Sequence, residues 1–160
     1  MVEKFYDRIK ELEFLKSKYD NLTAGEFGIV YGRRRMGKTQ LLLKFLDRVN
    51  GKKIYINVTE TAHRLFMNSL SAKIEETFRE VVKIDKWMDF FKYIGDKSQN
   101  ERVVLVIDEF QRLNKFAKDF IYVLQEFCDR QIKNKKLMII ICGSSMSMMH
   151  RIALEEQGPL

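Results

Sequence analysis

Cysteine, histidine and long apolar runs are all scarce in this sequence of 160 residues. The two cysteines, Cys128 and Cys142, lack the spacing of a metal-binding pair and lie in stretches that look buried, so we interpret them as reduced packing residues. The two histidines, His63 and His150, have no Cys, Asp or Glu partner at ligand spacing. These absences argue against a disulfide framework and against a transition-metal site.

No apolar segment is long enough to cross a membrane. The longest apolar runs, Val103–Ile107 and Leu137–Cys142, are far shorter than the roughly 20 residues that a bilayer-spanning helix needs. The charged N-terminus also lacks the apolar stretch of a signal peptide. We therefore expect a cytoplasmic protein with no membrane partner.

Length and composition are those of one ordinary globular domain. Hydrophobic residues make up 46% of the chain and charged residues 32%, which is sufficient for a buried core. The net charge of +7 suits an anionic ligand or nucleic acid and does not distinguish between them.

One octapeptide, Gly32–Thr39, fits the phosphate-binding pattern G-x-x-x-x-G-K-S/T. Gly32 and Gly37 would let the loop curl with its N–H groups towards phosphate oxygens. Lys38 would reach the β- and γ-phosphates, and the Thr39 hydroxyl would hold Mg²⁺, the only metal ion that we expect. The pattern therefore predicts a nucleotide site.

The flanking residues fit this interpretation. Phe27–Tyr31 reads as a short buried strand, and apolar residues recur at helical spacing from Leu42 to Val49. Arg33–Arg35 would raise the positive potential over the phosphates, although adjacent arginines cannot all point one way. The predicted nucleotide-binding residues of this segment are Gly32, Arg33, Arg34, Arg35, Met36, Gly37, Lys38, Thr39 and Gln40.

A second chemical landmark is an uninterrupted apolar run that ends in Asp108 and Glu109. A strand that is apolar on both faces belongs in the middle of a parallel sheet, and ligands bind at the carboxyl end of such a sheet. Asp108 would lie near the Mg²⁺ that Thr39 helps to hold, and Glu109 would polarise the attacking water. Another buried strand, Leu137–Cys142, ends at the same edge.

Ser144 and Ser145 follow that strand and have two possible roles. They would contact the γ-phosphate or the attacking water, or they would cap a helix that begins near Met146. The other elements read as an amphipathic helix from Phe5 to about Asp20, a strand at Ile54–Val58, and helices at His63–Val82, Asp85–Lys97 and Leu113–Phe127. The aromatic helix at Asp85–Lys97 would face the core or a partner.

Several segments together resemble the archaeal-type ATPases, a prokaryotic branch of the AAA+/STAND P-loop superfamily related to origin-recognition-type initiators. They are Phe5–Arg8 with Glu11, Leu12 and Leu15, then Tyr31–Thr39, Ile107–Gln111 and Cys142–Ser145. The resemblance implies a Walker A loop at Gly32–Thr39, a Walker B pair at Asp108 and Glu109, and a sensor-1 position at Ser144 or Ser145. It also implies that Phe5 and Arg8 border the adenine, and it matches Asn57 only loosely to a residue that restrains the catalytic glutamate.

The fold implied by the resemblance is a three-layer α/β/α P-loop core with a parallel sheet in the order 5-1-4-3-2. The chain stops at Gly158–Leu160, so we expect residues 1–160 to be a core domain without strand five, the helical lid and the winged helix. Loss of strand five would leave Phe27–Tyr31 on a bare edge that favours self-association. DNA would bind only through the missing C-terminal regions.

The sequence therefore predicts an ATP-binding, Mg²⁺-dependent ATPase core with slow turnover in this fragment. The predicted catalytic residues are Lys38, Glu109, Ser144 and Ser145, and the predicted metal-side residues are Thr39 and Asp108. No arginine finger is identifiable. The alternatives are a DNA-binding initiator or mobile-element ATPase, and a nucleotide-controlled switch with little turnover.

Overall fold

The structure of the chain is a computed structural model that describes residues 8–59 and 62–144. Its helices are α1 (Ile9–Asp20), α2 (Lys38–Asp47), α3 (His63–Phe78), α4 (Trp87–Lys97) and α5 (Phe120–Arg130). Its strands are β1 (Glu26–Tyr31), β2 (Lys52–Asn57), β3 (Val103–Asp108) and β4 (Leu137–Gly143). Short 3-10 helices occupy Phe110–Lys115 and Ile132–Asn134.

All four strands are parallel and lie in the order β1-β4-β3-β2. This order confirms the predicted α/β fold with a parallel sheet and matches the 1-4-3-2 part of the predicted strand order. Strands β3 and β4 are buried along their whole length, as their uninterrupted apolar runs predict for central strands. Within the described residues, β1 pairs only with β4 and forms an edge of the sheet.

Alternating side chains of the central strands divide the core into two layers. On one face, Val104, Val106 and Ile140 pack in a cluster with the buried residues of α1 and α2. On the other face, Leu105 and Ile139 pack with α3, α4 and α5. The parallel register brings the carboxyl ends of the strands to one edge, where the loop after β1 and the acidic end of β3 meet.

The aromatic residues of α4 belong to the core. Trp87, Phe90 and Phe91 are at most 2% exposed. The rings of Trp87 and Phe120 are 4.6 Å apart, and those of Phe91 and Phe127 are 5.2 Å apart. Of the two roles considered for this helix, the structure therefore assigns packing between α4 and α5.

Two predicted helices differ from the observed ones. Helix α3 ends at Phe78 instead of Val82, because Arg79 adopts a left-handed conformation with φ of 60°. The helix predicted at Leu113–Phe127 is a 3-10 helix followed by α5. Leu113 and Phe120 are buried on either side of this break, so their spacing looked helical although the backbone turns between them.

Candidate nucleotide-binding site

The loop between β1 and α2 owes its shape to left-handed backbone conformations. Gly37, immediately before α2, has φ of 75°, and Arg35 has φ of 64°. A β-carbon on Gly37 would have Nε of Arg8 as its nearest non-neighbouring atom, at 3.9 Å. The requirement for glycine at position 37 therefore comes from its backbone angles rather than from lack of space.

Lys38 closes the loop from inside. Lys38 is only 9% exposed, and its Nζ donates hydrogen bonds to the carbonyl oxygens of Gly32 at 2.9 Å and Arg33 at 2.7 Å. An ammonium group in this position can exchange carbonyl acceptors for the oxygens of an anion. The positive end of α2 adds to the attraction for anions.

Asp108, at the end of β3, is 2% exposed and accepts hydrogen bonds on both carboxylate oxygens. Its Oδ2 accepts from Thr39 Oγ1 and from the Tyr55 hydroxyl, each at 2.7 Å. Its Oδ1 accepts from the backbone N–H of Glu109 at 2.8 Å. Burial, together with the bond to Asp108, raises the pKa of Tyr55 above its usual range, so the phenol is a neutral donor.

The oxygen atoms of Thr39 and Asp108 fit a magnesium ion. Hydroxyl and carboxylate oxygens are hard donors, and protein-bound Mg²⁺ usually takes one or two carboxylates and completes its shell with phosphate oxygens and water. In the part of the chain that the structure describes, no three His, Cys, Asp or Glu side chains are grouped as a metal site. The donors present therefore suit an ion that arrives with a nucleotide.

Glu109 is held between two side chains that follow it in sequence. Its φ of 55° turns the chain sharply after β3. Its Oε2 accepts a hydrogen bond from Gln111 Nε2 at 2.6 Å and lies 3.8 Å from Arg112 Nε. Arg112 in turn donates to the carbonyl oxygen of Val58 at 3.1 Å, beyond the end of β2.

Gln111 also connects Glu109 to the end of β4. Its Nε2 lies 3.3 Å from Ser144 Oγ, and its Oε1 accepts from the backbone N–H of Ser144 at 3.3 Å. One amide thus contacts both Glu109 and Ser144. Asn57, the loose match to a glutamate-restraining residue, aligns with Asp108 in the sheet and is exposed.

Most of the predicted site residues line one pocket of about 460 Å³. Of the predicted site residues, the following line it: Arg8, Arg34, Arg35, Met36, Gly37, Lys38, Thr39, Gln40, Glu109 and Ser144. Gly32 and Arg33 contribute the carbonyl acceptors of Lys38, and Asp108 contacts Thr39. Phe5 and Ser145 lie outside the described residues, so their predicted roles stay predictions.

Three residues at this site were not predicted to have a role: Tyr55, Gln111 and Arg112. Tyr55 lies two residues before Asn57, which is aligned with Asp108 in the sheet. Side chains two residues apart in a strand share a face, so Tyr55 lies on the same face as Asp108. Gln111 and Arg112 lie just after Glu109, where the turn brings their side chains back to its carboxylate. Only proximity in sequence to Asp108 and Glu109 could have indicated the last two.

Among residues 8–59 and 62–144, no helix combines the length and apolarity that crossing a bilayer requires.

The sheet order and the loop between β1 and α2 define an α/β domain of the P-loop ATPase class. The chain belongs to the family described as "ATPase domain predominantly from Archaea", whose sequence model matches residues 5–160. This match confirms the resemblance found in the sequence. Membership of an ATPase family implies that the domain binds a nucleotide.

Relatives from Methanocaldococcus jannaschii include the uncharacterized protein MJECL04, which is 36% identical over 156 residues. That alignment covers 98% of this chain and 33% of the relative, so the chain spans about one third of that protein. The uncharacterized ATP-binding protein MJ0423 is 46% identical over 52 residues, which cover 32% of this chain and 86% of that protein.

Solved structures show the same fold. The Walker-type ATPase PABY2304 of Pyrococcus abyssi superimposes with a TM-score of 0.64 at 19% identity, over 91% of this chain and 47% of that one. Cdc6p from Pyrobaculum aerophilum also gives a TM-score of 0.64, at 16% identity, over 94% of this chain and 42% of that one. At these identities the likeness concerns the fold alone.

Proposed function

We propose that this domain binds ATP together with Mg²⁺ and hydrolyses the bond between its β- and γ-phosphates. The observation that carries the proposal is that Lys38, Thr39 and Glu109 line one pocket. Thr39 is in turn hydrogen-bonded to the buried carboxylate of Asp108. Family membership and the printed name of the ATP-binding relative MJ0423 support the choice of nucleotide.

In this proposal the phosphates lie in the loop between β1 and α2. Loop N–H groups and the N-terminus of α2 would bind phosphate oxygens, and Lys38 would exchange its two carbonyl acceptors for them. Arg34 and Arg35 line the same pocket and would add positive potential. Most of the binding energy would therefore come from charge complementarity in a loop shaped before the ligand arrives.

Thr39 and Asp108 would hold the metal ion. When bound, Mg²⁺ neutralises charge that develops on the phosphate oxygens. Glu109 would orient a water molecule for attack on the γ-phosphate, and its contact with Gln111 would keep the carboxylate at the pocket. Ser144 would contact the γ-phosphate or that water.

Nucleotide binding is tested by thermal unfolding of the parent and of Lys38→Met, with and without Mg-ATP. A ligand at about 100 times its dissociation constant stabilises the folded state by about 2.7 kcal/mol. For a domain of this size, that corresponds to a rise in Tm of roughly 5–11 °C. We expect this rise in the parent and its loss in Lys38→Met. The exposed Lys92 of α4 provides the matched control, Lys92→Met, which should keep the rise.

Hydrolysis is tested separately by phosphate release from the parent and from Glu109→Gln. We expect release by the parent and at least a hundredfold less from the variant, with nucleotide-induced stabilisation retained in both. A folded parent that Mg-ATP does not stabilise would contradict nucleotide binding. Stabilisation without phosphate release would contradict hydrolysis and favour the nucleotide-controlled switch.

A further inference from the structure

The orientation of Asp108 depends on donors from several places in the fold. Thr39 reaches its Oδ2 from the first turn of α2, Tyr55 reaches the same oxygen from β2, and the backbone N–H of Glu109 reaches Oδ1. Thr39 is itself a proposed metal ligand, and the backbone N–H at position 109 would be present with any residue except proline. Outside the proposed ligand set, Asp108 also contacts the thiol of Cys142 in β4, which is a weak donor, so Tyr55 is the stronger of the two side-chain donors that orient this carboxylate.

The position of the Tyr55 hydroxyl is determined by packing. Its ring packs against the core cluster on the α1 and α2 face of the sheet, which also contains Val104 and Val106. Tyr55 is aligned with Val106, and Asp108 follows two residues later on the same face of β3. A ring held in this way has few rotamers available, so its hydroxyl presents a fixed donor to Oδ2 at 2.7 Å.

We propose that Tyr55 is a positioning residue for the magnesium site, acting by holding the Asp108 carboxylate in the orientation that the metal requires. This inference rests on the proposed function. Groups that orient a metal ligand commonly change metal affinity by about 10- to 100-fold when they are removed. Since Thr39 and the Glu109 N–H would still hold Asp108, we expect an effect near the lower end, about tenfold.

The test is the Mg²⁺ dependence of ATP binding, measured by thermal unfolding and requiring no hydrolysis. ATP is titrated in EDTA, and Mg²⁺ is then titrated at a fixed ATP concentration. In Tyr55→Phe, the Mg²⁺ concentration for half-maximal stabilisation should rise about tenfold, whereas ATP affinity in EDTA should stay within about twofold of the parent. A purely structural role would weaken both measurements alike and would overturn the proposal.

The chain offers a matched control in Tyr93→Phe. Tyr93 also donates its hydroxyl to a carboxylate, Glu80 Oε2 at 2.6 Å, and neither residue lines the nucleotide pocket. This variant should leave both titrations unchanged, so a tenfold shift in it as well would overturn the proposal.

Asp108→Asn separates this inference from the proposed function. If Mg²⁺ does not strengthen ATP binding in the parent, the proposed metal role of Asp108 fails, and the role of Tyr55 fails with it. If the enhancement exists and is lost in Asp108→Asn but is unchanged in Tyr55→Phe, the metal role stands and the inference about Tyr55 is refuted.

Discussion

Replacing Gln111 with methionine should slow ATP hydrolysis while leaving ATP binding nearly unchanged. Gln111 is not among the residues that line the pocket, but its amide contacts two that do, Glu109 and Ser144. Methionine keeps a similar length and removes both polar atoms of the amide. Glu109 would then keep its neighbour Arg112, whose Nε lies 3.8 Å from Oε2, and would turn towards it.

The expected size of the effect follows from the hydrogen bond that is lost. A bond from an amide to a carboxylate is worth about 1.5–3 kcal/mol. The Glu109 side chain is 31% exposed, so water competes with the amide and the lower value applies. Because about 1.4 kcal/mol corresponds to a factor of ten in rate, we expect kcat to fall about tenfold and KM to change by less than about twofold.

Steady-state phosphate release measures both constants, with exposed Gln99 replaced by methionine as the control. Gln99 lies between α4 and the amino end of β3, whereas the pocket lies at the carboxyl ends of the strands, so its replacement should leave kcat unchanged. A Gln111→Met enzyme with kcat within about twofold of the parent would refute the reasoning.

The contact with Ser144 gives an independent check on this role of Gln111. If Gln111 acts through the link between Ser144 and Glu109, then Ser144→Ala and Gln111→Met should combine less than additively, because both remove the contact between Gln111 Nε2 and Ser144 Oγ. Strict additivity in kcat would argue that Gln111 acts on Glu109 alone.

Three further predictions concern stability and assembly. Phe91→Ala should lower the free energy of unfolding by about 3–5 kcal/mol in urea titrations, because Phe91 lies in the ring cluster between α4 and α5. The control Phe14→Ala should change it by less than about 0.5 kcal/mol, because Phe14 is 62% exposed. Burial and the bond to Glu80 raise the pKa of Tyr93, so the stability that its neutral hydroxyl contributes is complete below the ordinary value of 10.0 and is lost at higher pH. The difference in free energy of unfolding between the parent and Tyr93→Phe should therefore narrow from about pH 10 to pH 12. A difference that stays constant over this range would contradict the prediction. Pairing of two copies along the edge strand β1 stays a prediction, for which light scattering should show a mass that rises with concentration, and a constant monomer mass would count against it.

The sequence alone was sufficient to predict the elements whose signals are local. The loop Gly32–Thr39 combines fixed residue types at fixed spacing, and the apolar run before Asp108 needs burial on both faces of a sheet. The rule that ligands bind at the carboxyl edge of parallel strands then predicts that these two segments meet at one site. Helix ends were less predictable, since Arg79 ends α3 through its own backbone conformation while the apolar pattern continues.

Only the tertiary structure decided which side chains hold the acidic residues in place. Tyr55 and Asp108 are 53 positions apart and meet because β2 and β3 are neighbours in a register that puts both on one face. Gln111 and Ser144 are 33 positions apart and meet because the chain turns back at Glu109 towards the end of β4. Local patterns determine what a segment can become, whereas hydrogen bonds between segments depend on strand order, register and side-chain direction, which arise only when the whole sheet is assembled.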